Sequence, residues 1–116
     1  MPKPNKDIIQ NFFSLINTQQ PEKAFELYVS ENITHNFPHL KQGKQNLLSG
    51  FQAASKASPN KKITIKEMIS DPNTVVTISQ VKNIKRNDTE INLLVAHWFE
   101  LNQGLITKIF SIKERS

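Results

Sequence analysis

The segment Tyr28-Val29-Ser30-Glu31-Asn32-Ile33-Thr34-His35-Asn36-Phe37-Pro38-His39 decides how the rest of the chain is read. Val29, Ile33 and Phe37 are spaced as anchors, and Pro38 prevents regular continuation, so an irregular segment is expected from Tyr28 to Leu40. It places an imidazole, His35, beside apolar residues. A second one, His97, stands in the apolar run Ile91 to Leu101. The remainder reads as a scaffold able to bring the two to one cavity.

Working outward, the residues before this segment repeat at helical period. Ile8, Ile9, Phe12, Phe13, Leu15 and Ile16 form a broad apolar stripe after Asp7. Pro21 sits where a first-turn proline is tolerated, and Ala24, Phe25, Leu27 and Tyr28 continue a short second helix. The tight connection between the two predicts an antiparallel helix pair. Downstream, Gly43 precedes a third helix with Leu47, Leu48, Phe51 and Ala54 on one face, stopped by Ser58-Pro59-Asn60.

From residue 61 the period changes to two. Strands are expected from Ile63 to Ile69, Thr74 to Ile84, Glu90 to Leu101 and Leu105 to Lys113. Asp71-Pro-Asn73, Lys85-Arg-Asn-Asp88 and Asn102-Gln-Gly104 supply turns. Runs joined by turns predict a mostly antiparallel sheet. Helices followed by a meander of strands is an α+β layout, in one domain over residues 1–116.

Period two also assigns faces. Ile91, Leu93, Val95, His97, Phe99 and Leu101 share one side of the third long strand; Leu94, Ala96 and Trp98 share the other. In the last strand, Leu105, Thr107, Ile109 and Ser111 are expected on one side, and Ile106, Lys108, Phe110 and Ile112 on the other. Both sides are too apolar for a sheet wetted on one face. A helix layer covers one face, so Leu94, Trp98, Phe110 and Ile112 predict a homodimer built sheet to sheet.

The totals exclude several function classes. With no cysteine, disulfides and thiolate chemistry are ruled out. The polar start, Met1-Pro-Lys-Pro-Asn-Lys-Asp7, shows no apolar signal segment, and no apolar run is long enough to span a membrane, so a cytoplasmic location is expected. Without a secretion signal the glycosylation patterns Asn32-Ile-Thr34 and Asn87-Asp-Thr89 carry no meaning. The net charge of +5 raises nucleic-acid binding. The lysines are spread, with small groups at Lys61-Lys62-Lys66 and Lys82-Lys85-Arg86, and aromatic interleaving is lacking. A solvated basic face is the preferred reading.

The chain resembles the SnoaL-like family of the nuclear transport factor 2-like superfamily over nearly its whole length. The resemblance rests on two helices, Leu27-Tyr28-Val29, the segment Ile33 to His39, Gly43-Lys44 opening a helix, and strands ending Phe99-Glu-Leu-Asn-Gln-Gly-Leu-Ile-Thr-Lys108. It implies a cone-shaped, curved, mostly antiparallel sheet wrapped around the N-terminal helices, a cystatin-like roll, with a pocket on the concave face. Members include polyketide cyclases, ketosteroid isomerase-like enzymes, small-molecule binders and non-catalytic dimerisation modules. In cyclase-type members an acid–base carboxylate stands on the last strand, in a Glu-His-Trp-Asp-like segment. Here that segment is Lys108-Ile109-Phe110-Ser111, with Ser111 at the acidic position and Ile109 at the histidine. Where the preceding strand commonly has an aspartate, this chain has His97.

Proton abstraction beside a carbonyl needs a base near the working pH and a donor for the oxyanion. With Ser111 in place of the carboxylate, His35 and His97 are the candidate bases. His35 either serves the pocket mouth or bonds local backbone; His97 is either a pocket group or a satisfied core histidine. Tyr28 either donates a hydrogen bond to a ligand or, the preferred reading, packs its ring in the core. Phe37, Phe51, Val95, Phe99, Ile109 and Ser111 complete the expected pocket lining. Glu67 shares the face of Ile63, Ile65 and Ile69 and replaces the missing base if that face is concave, unless a bulge turns it outward. His39 is expected in solvent. The His35–His39 spacing resembles a helical ligand pair, but Pro38 rules out a helix there, so no metal or cofactor is expected. Asp7, Asp71 and Asp88 fall at element ends, in capping and turn roles. Two readings stand: a binder of a small hydrophobic, cyclic, polyketide- or steroid-like molecule, with weak isomerase or cyclase chemistry open to it; or a non-catalytic dimeric carrier or interaction module.

Overall fold

The chain runs through α1 (Asn5–Asn17), α2 (Pro21–Tyr28), β1 (Val29–His35), α3 (Lys44–Ala57), β2 (Lys62–Asp71), β3 (Thr74–Arg86), β4 (Thr89–Asn102) and β5 (Leu105–Arg115). These elements come from a computed structural model that describes residues 4–86 and 89–115. Residues 1–3 of the leader, and Asn87 and Asp88 of the expected turn and glycosylation pattern, lie outside the described residues.

The strands form one open, mixed sheet in the order β1-β5-β4-β3-β2. Three neighbouring pairs are antiparallel, and β1 pairs with β5 in parallel. The α+β layout is therefore as expected, with one correction: Val29 to His35 is a strand, not an irregular segment. Its inward residues are Val29, Ile33 and His35, and the polar Ser-Glu-Asn between them hides the alternation.

The helices cover one face of the sheet. Pro21 opens α2 at its first turn, where its missing N–H costs nothing. Gly43 caps α3 at φ 109°, a left-handed conformation that glycine adopts without a Cβ penalty. On α3 the buried side runs through Leu47 and Ser55; Ala54, expected on that face, is exposed. The main core joins Ile9, Phe12 and Ile16 of α1 and Phe25 of α2 to Val75, Phe99, Ile106 and Ile109 of the sheet. Phe12 lies at its centre, with ring centroids 6.1 Å from Phe25, 6.2 Å from Phe51 and 6.3 Å from Phe99. A smaller cluster of Val81, Leu93 and Val95 occupies the same face further along the strands.

Bulges break the period of two, and each reverses which residues point inward beyond it. Between Ile65 and Glu67 the ladder to β3 slips by one residue, so Met68 turns in while Glu67 and Ile69 turn out. Glu100 pairs with Lys108 but Leu101 pairs with Ile106, which makes Thr107 the extra residue. Ile106 is accordingly buried and Leu105 exposed, opposite to the faces expected from strict alternation. A third slip, between Val81 and Ile84, is absorbed at Asn83 with φ 65°.

Three side-chain amides each hold both backbone groups of one residue. Asn17 donates to the Ile63 C=O and accepts from its N–H, both at 2.8 Å. Gln42 does the same for His35, at 2.8 and 3.2 Å. Asn36 does it for Ser111, at 3.0 and 2.8 Å, continuing the β1–β5 contact past the end of β1.

Candidate functional site

The concave face is best described by its cross-strand rows. One row is His35–Ile109–Phe99–Val75, and the next is Ser111–His97–Thr77–Met68. The row after that is Lys113–Val95–Ser79–Ile65. The first belongs to the main core. The other two set polar groups into an otherwise apolar surface between the two clusters.

Thr77 and Ser79 are fully buried, yet neither hydroxyl has a hydrogen-bond partner among the described residues. The Nδ1 of His97 is buried and unpartnered in the same way. Buried polar atoms without partners are uncommon, because each forfeits its hydration for nothing. The three lie on two neighbouring strands, β3 and β4.

His97 is held by aromatic rings. It stacks on Phe99 at a 5.6 Å centroid distance and 23° between planes, and meets the edge of Phe13 at 5.4 Å. Burial pushes its pKa down to about 4, and the positive charges of Lys113 and Lys61 push in the same direction. The ring is therefore neutral near pH 7. Lys61, partly buried just ahead of β2, is itself lowered by burial and by Lys113.

His35 sits in a different environment. It is buried; its Nδ1 accepts from the Phe37 N–H at 3.1 Å, and its Nε2–H donates to the Lys41 C=O at 2.9 Å. Both ring nitrogens are engaged by backbone, and the ring fixes the turn between β1 and α3. It lies 5.5 Å from the Phe37 ring.

The other expected lining residues divide between the face and the core behind it. Val95, Phe99 and Ile109 are buried on the concave side, and Ser111 is partly buried beside His97. Tyr28, Phe37 and Phe51 are partly buried against the helix-side core, with Phe37 edge-on to Phe51 at 5.9 Å. Glu67, the candidate replacement carboxylate, faces away because of the bulge before it. Trp98, Phe110, Leu94 and Ile112 are all exposed on the convex face. Two surface depressions, one bounded by Asn73, Glu100 and Thr107 and one by Gln20, Lys23 and Leu27, include none of the expected site residues.

Sequence reading missed Thr77, Ser79, Lys61 and Lys113. A signal was present for the first two: in Val75-Val-Thr77-Ile-Ser79-Gln-Val81, hydroxyl residues occupy inward positions of a central strand. Lys113 follows Ser111 at period two. Nothing local identifies Lys61.

The sequence profile of the SnoaL-like domain matches residues 9–109. The chain belongs to the SnoaL-like domain family. Solved structures agree in fold. A SnoaL-like polyketide cyclase from Agrobacterium tumefaciens superposes with a TM-score of 0.83 at 13% identity, covering 97% of this chain and 92% of that one. An NTF2-like protein from Cytophaga hutchinsonii gives 0.77 at 19% identity, covering 98% and 93%. A cystatin-fold protein from Novosphingobium aromaticivorans gives 0.80 at 16% identity, covering 95% and 98%. No curated protein matches the sequence. Among the described residues of this SnoaL-like chain, no helix is long and apolar enough to cross a membrane.

Proposed function

We propose that this SnoaL-like protein binds a small apolar molecule on its concave face, with His97 at the centre of the site. The observation that carries this reading is the group of unpartnered buried polar atoms, Thr77 Oγ1, Ser79 Oγ and His97 Nδ1. They supply hydrogen bonds between two apolar clusters, the usual composition of a small-molecule site. His35, with both nitrogens on backbone, positions the loop that carries Phe37.

Any acid–base step in such a site runs through His97. A neutral imidazole there is a weak base, since its proton affinity is already low. A second reading, a carrier or interaction module without chemistry, is favoured by Ser111 at the carboxylate position and by the outward Glu67. The reading includes a homodimer through Leu94, Trp98, Phe110 and Ile112, of which Trp98 is 50% and Ile112 75% exposed. It also includes a cytoplasmic location, with which a chain free of cysteine is compatible.

A two-dimensional NMR screen of cyclic ketones, lactones and polyketide-like compounds tests the binding claim. Shifts concentrated at Thr77, Ser79, Val95 and His97 are expected for at least one class. Compounds that leave those amides unmoved throughout the screen would sink it. Turnover of a binder that is lost in His97→Leu separates an enzyme from a carrier. Sedimentation at micromolar concentration tests the dimer, and a monomeric mass ends it.

A further inference from the structure

We propose that residues 62–65, at the head of β2, are the gate to the concave face, and that Asn17 is its latch. The inference rests on the binding reading above and says how a ligand reaches that site. Thr77 and Ser79 are wholly shut off from solvent, so a ligand meets their hydroxyls only after one wall gives way. Ser79 pairs directly with Ile65, which sets the head of β2 beside it. α1 lies over β2 and β3, with Phe13 edge-on to His97. These two walls are held very differently. α1 buries Ile8, Ile9, Phe12, Phe13 and Ile16, and Phe12 is at the centre of the main core. No residue of β2 is buried; its inward side chains, Ile63, Ile65 and Met68, are each only partly covered. A wall with so little buried apolar surface is the one that yields.

The ladder is interrupted on both sides of this stretch. Residues 62–65 pair with residues 79–82, and the register slips at Lys66 on β2 and again between Val81 and Ile84 where β3 meets β4. Each slip leaves a residue unpaired and lets the strand bend. Lys62 also stands directly opposite Lys82, a like-charge pair that weakens the ladder at its end. Against this, Asn17 holds Ile63 by both main-chain groups, at 2.8 Å each. Ile63 in turn packs on the smaller cluster of Val81, Leu93 and Val95. When Asn17 lets go, the stretch swings about Lys66, Ile63 leaves that cluster, and space opens beside Ser79 and Val95. The turn ahead of β2 keeps its own fastenings: Gln19 donates to the Pro59 C=O at 3.0 Å and Asn83 to the Asn60 C=O at 3.2 Å. The movement is therefore confined between that turn and Lys66.

The chain has no cysteine, so Ser79→Cys sets a single thiol at the buried position, and its rate of alkylation by iodoacetamide reports the opening. The rate is compared in S79C, in N17A/S79C, and in N36A/S79C, which loses the same kind of paired amide contact at the β1–β5 end of the sheet. Loss of Asn17 is expected to raise the rate at least tenfold, and loss of Asn36 less than twofold. An equal rate with and without Asn17, or an equal rise in both double variants, overturns the gate. Should a variant fail to fold, amide exchange in the wild-type chain decides in its place. The β2 amides bonded to β3 are expected to exchange at least tenfold faster than the β1 amides bonded to β5, although both strands are borders of the sheet. Similar rates at the two borders overturn the gate. No ligand enters either measurement, so their failure leaves the binding reading standing, whereas an empty compound screen removes the site and leaves only a moving strand.

Discussion

The corner around His35 and the middle of the sheet around His97 hold the same side chain, one cross-strand row apart, in opposite conditions. At the corner every polar atom of the residue has a partner: backbone takes both ring nitrogens, and Gln42 takes both main-chain groups. In the middle, the ring is stacked on Phe99 and edged by Phe13, and its Nδ1 has no partner among the described residues. The contrast teaches that burial does not by itself make a histidine structural or functional. What decides is whether the surrounding backbone completes its hydrogen bonds. Satisfied, the ring is a piece of architecture; unsatisfied, it carries a cost that a ligand can remove.

The contrast can be broken by mutation. His35→Ala removes partners from the Phe37 N–H and the Lys41 C=O and leaves a hole, so urea denaturation is expected to show a loss of about 3 kcal/mol. A loss below about 1 kcal/mol would mean the corner does not depend on its histidine. His97 should reveal itself through pH instead. Its folded pKa, about 4, lies below its unfolded value of 6.5, so the unfolded chain binds the extra proton between them. Stability from this group is present above pH 6.5 and is lost as pH falls towards 4, by up to about 3 kcal/mol. His97→Leu should flatten that part of the stability–pH curve, and an unchanged slope would contradict a buried neutral ring.

Smaller effects sharpen the comparison. Asn36→Ala frees the N–H and C=O of Ser111 and is expected to cost about 1–2 kcal/mol, read as a lower thermal midpoint. Thr77→Val removes an unpartnered hydroxyl at constant shape, so the free protein should be unchanged or more stable by up to about 1 kcal/mol. A destabilisation of similar size would show that the hydroxyl is satisfied after all.

Much of this arrangement was legible in the sequence. The inward set Leu93, Val95, Phe99 and Leu101 follows from alternation, because β4 is central and long. The exposed convex patch of Leu94 and Trp98 follows from the same count. Alternation failed wherever a bulge intervened, since one inserted residue reverses every side chain beyond it: Ile106 replaced Leu105 in the core, and Met68 replaced Glu67 on the concave side. β1 escaped notice because its strand character comes from pairing with β5, more than seventy residues away, and not from its own polar centre. The partners of His35, namely Phe37, Lys41 and Gln42, are close in the chain, but which ring nitrogen meets which backbone group depends on the turn's geometry.

The paired amide contacts of Asn17 and Gln42 have an effect beyond local stability. β2 and β1 are the two outer strands of the open sheet, and Ile63 and His35 lie on them. An outer strand is a template, offering donors and acceptors in register to any extended chain that drifts alongside. Here a side chain from the same molecule already occupies one such position on each border, imitating the peptide group of a neighbour. A second copy trying to add itself in strand register must first evict those amides. The sheet is stoppered at these two positions on its margins, which makes edge-to-edge addition of another strand costly there.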